Sequence, residues 1–225
     1  MNLALDHVVV AARSLAEGVA WCEATLGVTP GPGGQHLFMG THNRLLSIAS
    51  PQFARSYLEI IAIDPQAARP SQPRWFDLDA PATQAAMESG PQLWHWVARS
   101  AALDEACDTL RKLGVDPGEL VQAQRETAQG TLRWRITIRP DGRLLCAGAV
   151  PTLIEWSGAH PVESMQASGV QLCGFSVGGV PGGLTPFLPA GIESIGGAIG
   201  TAAPLQIELI TPLGRVQLCA GRTAA

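Results

Sequence analysis

Histidine and glutamate residues recur at matching places in the sequence. His7 and His95 each lie in a short apolar stretch, and Glu59 and Glu155 each lie in a later apolar stretch. A buried carboxylate is costly unless it is paired or binds a metal. Two imidazoles and two carboxylates suit a divalent ion such as Zn, Ni, Co, Mn or Fe, which can polarise a substrate oxygen. These four residues are therefore our predicted metal ligands.

Each of these four residues also has an interpretation that needs no metal. His7 and Glu59 could form a buried hydrogen bond, since strand parity places each of them among apolar neighbours on one face. His95 could be a core histidine between two tryptophans, and Glu155 could be a partly exposed glutamate beside Trp156. The residue pattern leaves both interpretations open.

Further polar residues are candidates for catalysis or substrate binding. His36 lies in a glycine-rich loop and is predicted to act as a general base, because an imidazole titrates near neutral pH. Glu155 is predicted as a second catalytic group. Asn43 and His160 are predicted to bind substrate, because loops often carry functional residues. Alternatively, Asn43 only bridges the backbone and His160 belongs to a simple turn.

One alternating strand carries arginines that share a face. Residues 131–139 read TLRWRITIR, so Arg133 and Arg135 lie on one side and apolar residues lie on the other. A guanidinium can pair in a bidentate manner with a carboxylate or phosphate. We predict that Arg133 and Arg135 bind an anionic substrate, and a solvated strand face is the alternative.

The segments that position these residues form an internal repeat. In the first half, a strand precedes a helix that has the capping pattern Ser14 and Glu17 and the terminal Gly27. The second half repeats this order after a cap at Ser100. The period of about 88 residues suits a duplicated supersecondary unit rather than a solenoid. Predicted strands cover 3–11, 44–49, 57–63, 93–97, 119–127, 131–139, 143–147 and 153–157.

The repeat predicts an α+β fold. Tandem βαβββ modules are expected to form a curved mixed β-sheet with helices on its outer face. The modules span residues 1–64 and 91–160, and a linker over 65–90 contains a short helix near 82–88. A β-rich tail over 161–225 is expected to complete the sheet, so that the chain forms one structural unit.

Two motifs in the first half add a family resemblance. Residues 33–46 read GGQHLFMGTHNRLL, and residues 57–64 read YLEIIAID. Together with the opening strand and the repeat, they resemble the vicinal oxygen chelate superfamily and, more narrowly, its glyoxalase-like domain family. The superfamily includes glyoxalase I, extradiol dioxygenases and fosfomycin-resistance proteins. The resemblance implies metal ligands on the first and last strands of each module, which are the four residues named above. It also supports His36 and His160 as pocket residues.

The resemblance implies small-molecule chemistry inside the curved sheet. We expect a metal-dependent lyase, isomerase or dioxygenase that acts on a small anionic or vicinal-oxygen substrate. The alternative is a metal-free protein of the same fold that binds or sequesters a small molecule, for which the six tryptophans could supply an aromatic pocket.

Charge, cysteine spacing and composition argue against several classes of protein. The net charge of −4 and the absence of a basic patch argue against nucleic-acid binding. The five cysteines include no CxxC pair, which excludes a zinc knuckle. The N-terminus does not read as a signal peptide, and the uncharged stretch over 164–192 contains prolines and glycines that argue against a membrane span. We expect a cytoplasmic monomer or homodimer.

Overall fold

The computed structural model describes residues 2–196 and 205–220. Two βαβββ modules, a short connecting helix and four C-terminal strands follow one another along the chain. The helices are α1 (Leu15–Leu26), α2 (Pro81–Met87) and α3 (Leu103–Lys112). The strands are β1 (Ala4–Ala11), β2 (Gln35–His36), β3 (Thr41–Ser47), β4 (Tyr57–Ile63), β5 (Gln92–Arg99), β6 (Glu119–Thr127), β7 (Gly130–Ile138), β8 (Thr152–Trp156), β9 (Gln171–Gly178), β10 (Ile192–Ile195), β11 (Leu205–Thr211) and β12 (Gly214–Cys219).

The two modules share one curved, mixed sheet of eight strands, in the order β2-β3-β4-β1-β5-β8-β7-β6. In each module the first strand pairs in parallel with the last, β1 with β4 and β5 with β8. The two first strands pair antiparallel at the centre. This arrangement confirms the predicted α+β fold of paired βαβββ modules.

Alternation along the central strands separates two apolar clusters. Val8 and Val10 of β1 pack on the outer face with Leu26 of α1 and Leu103 of α3. Val9 points to the inner face, where a second cluster is rich in aromatic residues. Successive strand residues point to opposite faces, so a largely apolar strand serves both clusters. Helices α1 and α3 therefore cover the outer face, while Met87 of α2 packs into the inner-face cluster beside the space left for a site.

Helix α1 begins and ends where the sequence predicts. Ser14 Oγ accepts a hydrogen bond from the backbone N–H of Glu17 at 3.2 Å. Gly27 ends the helix in the left-handed conformation, with φ of 73°. The predicted strand over 143–147 is instead a short 3₁₀ helix, Leu145–Gly148. There Cys146 and Ala147 have positive φ values of 46° and 53°, which a strand does not accommodate.

The C-terminal tail forms a sheet of its own instead of completing the large one. Its order is β10-β9-β11-β12, and β11 and β12 contact β5. Apolar residues such as Phe175 and Ile207 pack into the outer-face cluster with Trp96. These residues need an apolar surface to cover, and the face of the large sheet offers more of it than either edge does. Residues 197–204 and 221–225 of the predicted tail lie outside the described part.

Among the described residues, every helix is too short or too polar to span a membrane.

Candidate functional site

Two matching irregularities at the centre of the large sheet position the polar residues. The register of β1 and β5 places His7 and His95 at symmetry-related positions. The register shifts beside Asp6 on β1 and beside Trp94 on β5, so each strand carries one extra residue just before its histidine. Such a bulge re-aims the side chains next to it. Asp6 can therefore contact His7, although strand alternation alone would separate the two side chains.

His7 and Glu59 form a buried pair on neighbouring strands. Glu59 of β4 lies beside Val9 of β1, two residues beyond His7. His7 Nε2 is 3.4 Å from Glu59 Oε2, and each side chain is 7% exposed. Tyr57 stacks on the imidazole with 4.5 Å between ring centroids. The parallel pairing of β1 with β4 thus sets an imidazole against a carboxylate.

Asp6 binds the other side of His7. Its Oδ1 lies 2.7 Å from His7 Nδ1, while its Oδ2 accepts from Trp156 Nε1 at 3.0 Å. The same Oδ2 lies 3.0 Å from Nε2 of His160. The Nδ1 atom of His160 accepts the backbone N–H of Val162, so its Nε2 carries the proton and donates to Asp6. Burial opposes the charge of Asp6, but the hydrogen bonds with His160 and His7 hold its pKa well below the usual range.

Asn43 connects Glu59 to His36. Its Oδ1 accepts from the backbone N–H of Gly34 at 2.8 Å, which directs its Nδ2 toward Glu59 Oε1 at 2.5 Å and His36 Nε2 at 3.3 Å. Because His36 Nε2 accepts, its Nδ1 donates to Thr41 Oγ1 at 3.0 Å. Asn43 therefore fixes one oxygen of Glu59 and leaves the other facing His7.

The GG pair of the family motif allows this close approach. A Cβ at Gly33 would overlap the backbone oxygen of Asn43, and a Cβ at Gly34 would overlap the guanidinium of Arg125. Glycine is the residue that permits such a close approach to the backbone.

Burial and hydrogen bonding give the residues of the site different charges. Burial opposes the charge of His7, but hydrogen bonds with Asp6 and Glu59 outweigh it and raise the pKa of His7 to about 9. Burial also opposes the charge of Glu59, yet hydrogen bonding with His7 and attraction to it lower its pKa to about 2. Burial lowers the pKa of His36 to about 4. At neutral pH the site holds an imidazolium, carboxylates and a neutral imidazole.

The His7–Glu59 pair lies on the wall of a small inner cavity of about 40 Å³, which has space for only a few atoms. An outer groove of about 630 Å³ adjoins it, and both are lined by Leu45, Arg125 and Pro161. Arg125 NH1 lies 3.4 Å from Asn43 Oδ1. The aromatic residues on the inner wall are Tyr57, Trp75, Phe76, Trp134 and Trp156.

The second module places a neutral pair at the positions of His7 and Glu59. Thr152 lies beside Val97, two residues beyond His95, as Glu59 lies relative to His7. His95 Nε2 contacts Thr152 Oγ1 at 3.0 Å and accepts from the Thr152 backbone N–H at 3.3 Å. Phe76 packs against the His95 ring at 4.8 Å. His95 is therefore buried behind Phe76 and is not part of the cavity wall.

Three predicted site residues lie on the outer face of the sheet. Glu155 accepts from Arg135 Nε at 2.8 Å and from the first backbone N–H of α3, Leu103, at 3.4 Å. Arg135 also pairs with Asp104 at 2.8 Å. Arg133 is exposed. Alternation on β7 and β8 sends these charged groups outward and sends apolar residues such as Ile154 to the cavity.

The predicted site residues thus fall into two groups. The structure brings His7, Glu59, His36, Asn43 and His160 into one hydrogen-bonded cluster, and it separates His95, Glu155, Arg133 and Arg135 from that cluster.

The donor set does not fit the four-ligand metal site predicted from the sequence. Thr152 stands at the position that matches Glu59, and Glu155 faces the other side of the sheet. Among the residues that the structure describes, no group of three or more His, Cys, Asp or Glu side chains is arranged to hold a metal ion. His7 and Glu59 are two donors, fewer than the three or four protein ligands typical of zinc sites.

A family model of the glyoxalase-like domain matches residues 5–181. The chain belongs to the glyoxalase-like domain family. The fold and the inner-face cluster described above are therefore those of a glyoxalase-like protein. The sequence has no significant match among curated proteins.

Solved structures are similar in fold to this glyoxalase-like chain. A hypothetical protein from Staphylococcus aureus aligns with a TM-score of 0.56 and 12% identity, over 96% of this chain and 85% of that one. A Streptomyces coelicolor methylmalonyl-CoA epimerase, in complex with 2-nitronate-propionyl-CoA, aligns with a TM-score of 0.45 and 17% identity, over 71% of this chain and 99% of that one. The Mycobacterium tuberculosis methylmalonyl-CoA epimerase aligns with a TM-score of 0.40 and 19% identity, over 72% of this chain and 92% of that one.

Two site residues were missed from the sequence. Asp6 stands next to His7, but strand parity assigns it to the opposite face, and a bulge leaves no clear sequence signal. Arg125 lies in the alternating pattern of β6, where Val121 and Ala123 share its face. That parity could have indicated an arginine pointing to the inner face.

Proposed function

We propose that this glyoxalase-like protein binds a small carbonyl compound in the inner cavity and catalyses proton transfer at the carbon next to the carbonyl. Isomerases and lyases of many kinds share this step. The observation that carries the proposal is the contact between cationic His7 and anionic Glu59 on the wall of a cavity. Proton abstraction next to a carbonyl needs a base and a group that stabilises the enolate oxygen, and this pair supplies both.

His7 is the group that stabilises the oxygen. Its Nδ1–H is bound to Asp6, so its other ring N–H, at Nε2, is free for the cavity and lies 3.4 Å from Glu59 Oε2. A substrate carbonyl oxygen that enters the cavity takes over this N–H from Glu59. The imidazolium then stabilises the negative charge that develops on that oxygen, in surroundings with little water.

Glu59 is the base. While it is paired with His7, its low pKa of about 2 makes it a weak base. Once the His7 N–H turns to the substrate oxygen, Glu59 loses a hydrogen bond that favours its charged form, so its pKa rises. Glu59 Oε2 takes the proton from carbon, the C–H electron pair forms the enolate double bond, and the carbonyl π pair moves to oxygen. Return of the proton to carbon completes the exchange.

The proposal contains no metal step, because the donor set offers two suitable ligands rather than four. Rates should therefore be the same with and without a chelator. The rate should fall above about pH 9, where His7 loses its proton.

The test is deuterium exchange in D₂O, followed by proton NMR on a panel of pyruvate, 2-oxobutyrate, phenylpyruvate and phenylacetone. Glu59→Gln keeps the side-chain volume and removes the base, so exchange should fall by about 10²–10⁴-fold. Glu155→Gln, the matched change on the outer face, should leave the rate unchanged. Circular dichroism checks that both variants are folded.

Either of two experimental results would contradict the proposal. One is the absence of catalysed exchange with every compound of the panel. The other is an equal rate in Glu59→Gln and the unaltered protein.

A metal-free binding protein is the second candidate, and the five aromatic residues on the cavity wall favour it. It predicts quenching of tryptophan fluorescence by the same compounds, with no exchange in any of them. Binding would then persist in Glu59→Gln.

A further inference from the structure

Arg125 occupies an unusual place for an arginine of an edge strand. It lies on β6, at one edge of the large sheet, yet its NH1 lies 3.4 Å from Asn43 Oδ1 in the first module, 82 residues away. The curvature of the sheet brings its two edges toward each other, and the guanidinium spans the slot between them. Its side chain lies against Gly34, where a Cβ would overlap it.

The guanidinium has donors to spare. An arginine has five N–H donors in a planar fork that matches a carboxylate. Its contact with Asn43 is long and engages one of them. Within 2–196 and 205–220, no carboxylate lies within 4.0 Å of it. Arg135 of the neighbouring strand differs in this respect, since Asp104 and Glu155 each lie within 3 Å of it. Arg133 of that strand has no such partner among the described residues either, but it is exposed and lines neither the cavity nor the groove.

The size of the cavity explains why this position matters. About 40 Å³ holds only the reacting end of a molecule, so the rest must extend into the outer groove. Arg125 lines both spaces, and among the described residues it is the only lysine or arginine that lines either one. Glu126 also lines the groove, but its carboxylate is bound by Thr131 Oγ1 at 2.8 Å.

A second unused donor lies on the inner wall. The indole N–H of Trp75 is buried and has no acceptor among the described residues. Trp75 itself is 6% exposed and lines the cavity. A buried donor without an acceptor is costly, so a small shift of the ring that brings this N–H to a ligand oxygen would gain affinity.

We propose that Arg125 binds the carboxylate of an oxo acid, at the boundary between cavity and groove. The neutral carbonyl end of the same ligand enters the cavity toward His7 and Trp75. This inference rests on the proposed function, because it names the class of molecule that the His7–Glu59 site accepts. It also replaces Arg133 and Arg135 with Arg125 as the residue that selects an anion.

The experiment measures binding through quenching of tryptophan fluorescence, with phenylpyruvate and phenylacetone as probes. These two compounds share the ring and the ketone and differ in the carboxylate. Arg125→Gln should weaken phenylpyruvate binding about 10- to 100-fold, the loss expected for a hydrogen-bonded charge, and should leave phenylacetone binding unchanged. Arg125→Lys keeps the charge but not the planar fork of donors. Its affinity for phenylpyruvate should lie between that of the unaltered protein and that of Arg125→Gln.

Arg133→Gln is the matched control. Arg133 lies on the neighbouring strand with its side chain on the outer face, and its loss changes the net charge by the same amount. Equal weakening by Arg125→Gln and Arg133→Gln would overturn the proposal, because it would show a general charge effect. Failure of phenylpyruvate to bind, or binding no tighter than that of phenylacetone, would also overturn it.

These outcomes are separate from those of the proposed function. Phenylpyruvate binding that depends on Arg125 without deuterium exchange would support the carboxylate site and contradict the proton-transfer proposal. Deuterium exchange whose KM and kcat are both unchanged in Arg125→Gln would support the proton-transfer proposal and contradict the carboxylate site.

Discussion

The two modules place a histidine at the same point of the sheet and surround it differently. In the first module, His7 contacts two buried carboxylates, Asp6 on the bulge and Glu59 on the neighbouring strand. In the second, His95 contacts the hydroxyl of Thr152 and the ring of Phe76. The bulge residue of the second module is Trp94, whose indole N–H donates to a backbone oxygen at 2.8 Å.

This difference shows how one copy of a repeat can supply reactive groups while the other copy supplies apolar side chains that enclose the cavity. The same backbone register presents a charged pair on one side and a neutral pair on the other. Charged groups in an apolar interior must be fully paired, so the first module needs Asp6, Asn43 and His160 around its pair. The second module needs no such support, and its inner face carries aromatic and aliphatic side chains that enclose the cavity.

Removal of the carboxylate at the bulge, Asp6, should cause the largest difference in stability between a change in the first module and a control change elsewhere. Asp6→Ala removes the acceptor shared by His7, His160 and Trp156. Breaking a buried charge network by removing one partner should cost about 3–5 kcal/mol. Equilibrium unfolding in urea measures the change, with Asp104→Ala, a surface aspartate paired with Arg135, as a control that should change little. A loss no greater than that of the control would show that the first module does not depend on this carboxylate.

The pH dependence of stability should come from the first module. The folded-state pKa of His7 is about 9, against 6.5 for an ordinary histidine. A raised pKa contributes stability that is fully present below pH 6.5 and is lost as the pH rises toward 9. The loss should reach about 3 kcal/mol over that interval, from about 1.4 kcal/mol for each pKa unit.

Urea unfolding at several pH values between 6 and 9 tests this expectation in the unaltered protein and in His7→Gln. The variant should lack the alkaline loss, because Gln does not titrate. The difference between the two proteins removes the contribution of every titrating group that they share. Parallel curves for the two proteins would mean that His7 is not held as a cation.

The sequence predicts the repeat and the first-module histidine, but it does not predict every residue of the site. The sequence shows the repeat because apolar periodicity and the order of strand and helix recur with one period, and the match of His7 to His95 follows the strand register. The caps do not recur, since α3 begins after Ala102 without a side-chain cap. The repeat and the family resemblance predict Glu155 as the match of Glu59, but its parity on β8 is opposite to that of Ile154 and Trp156, which face the cavity. The contact of Asp6 with His7 depends on a bulge, and the approach of Arg125 to Asn43 depends on sheet curvature. Both are properties of strand pairing rather than of one strand's sequence, whereas parity on β6 is enough to place Arg125 on the inner face.

The smallest of these effects belongs to the second module. Thr152→Val removes the hydroxyl that contacts His95 Nε2 and that lies at the position matching Glu59. His95 Nε2 still accepts from the backbone N–H of residue 152, so a single neutral hydrogen bond is lost. The cost should be about 1 kcal/mol, well below that of Asp6→Ala, and ligand binding should be unchanged because His95 lies outside the cavity wall. Urea unfolding and fluorescence quenching by phenylpyruvate measure the two quantities. Loss of binding in Thr152→Val would show that the second module also contributes to the site, and the contrast between the two histidines would then have to be abandoned.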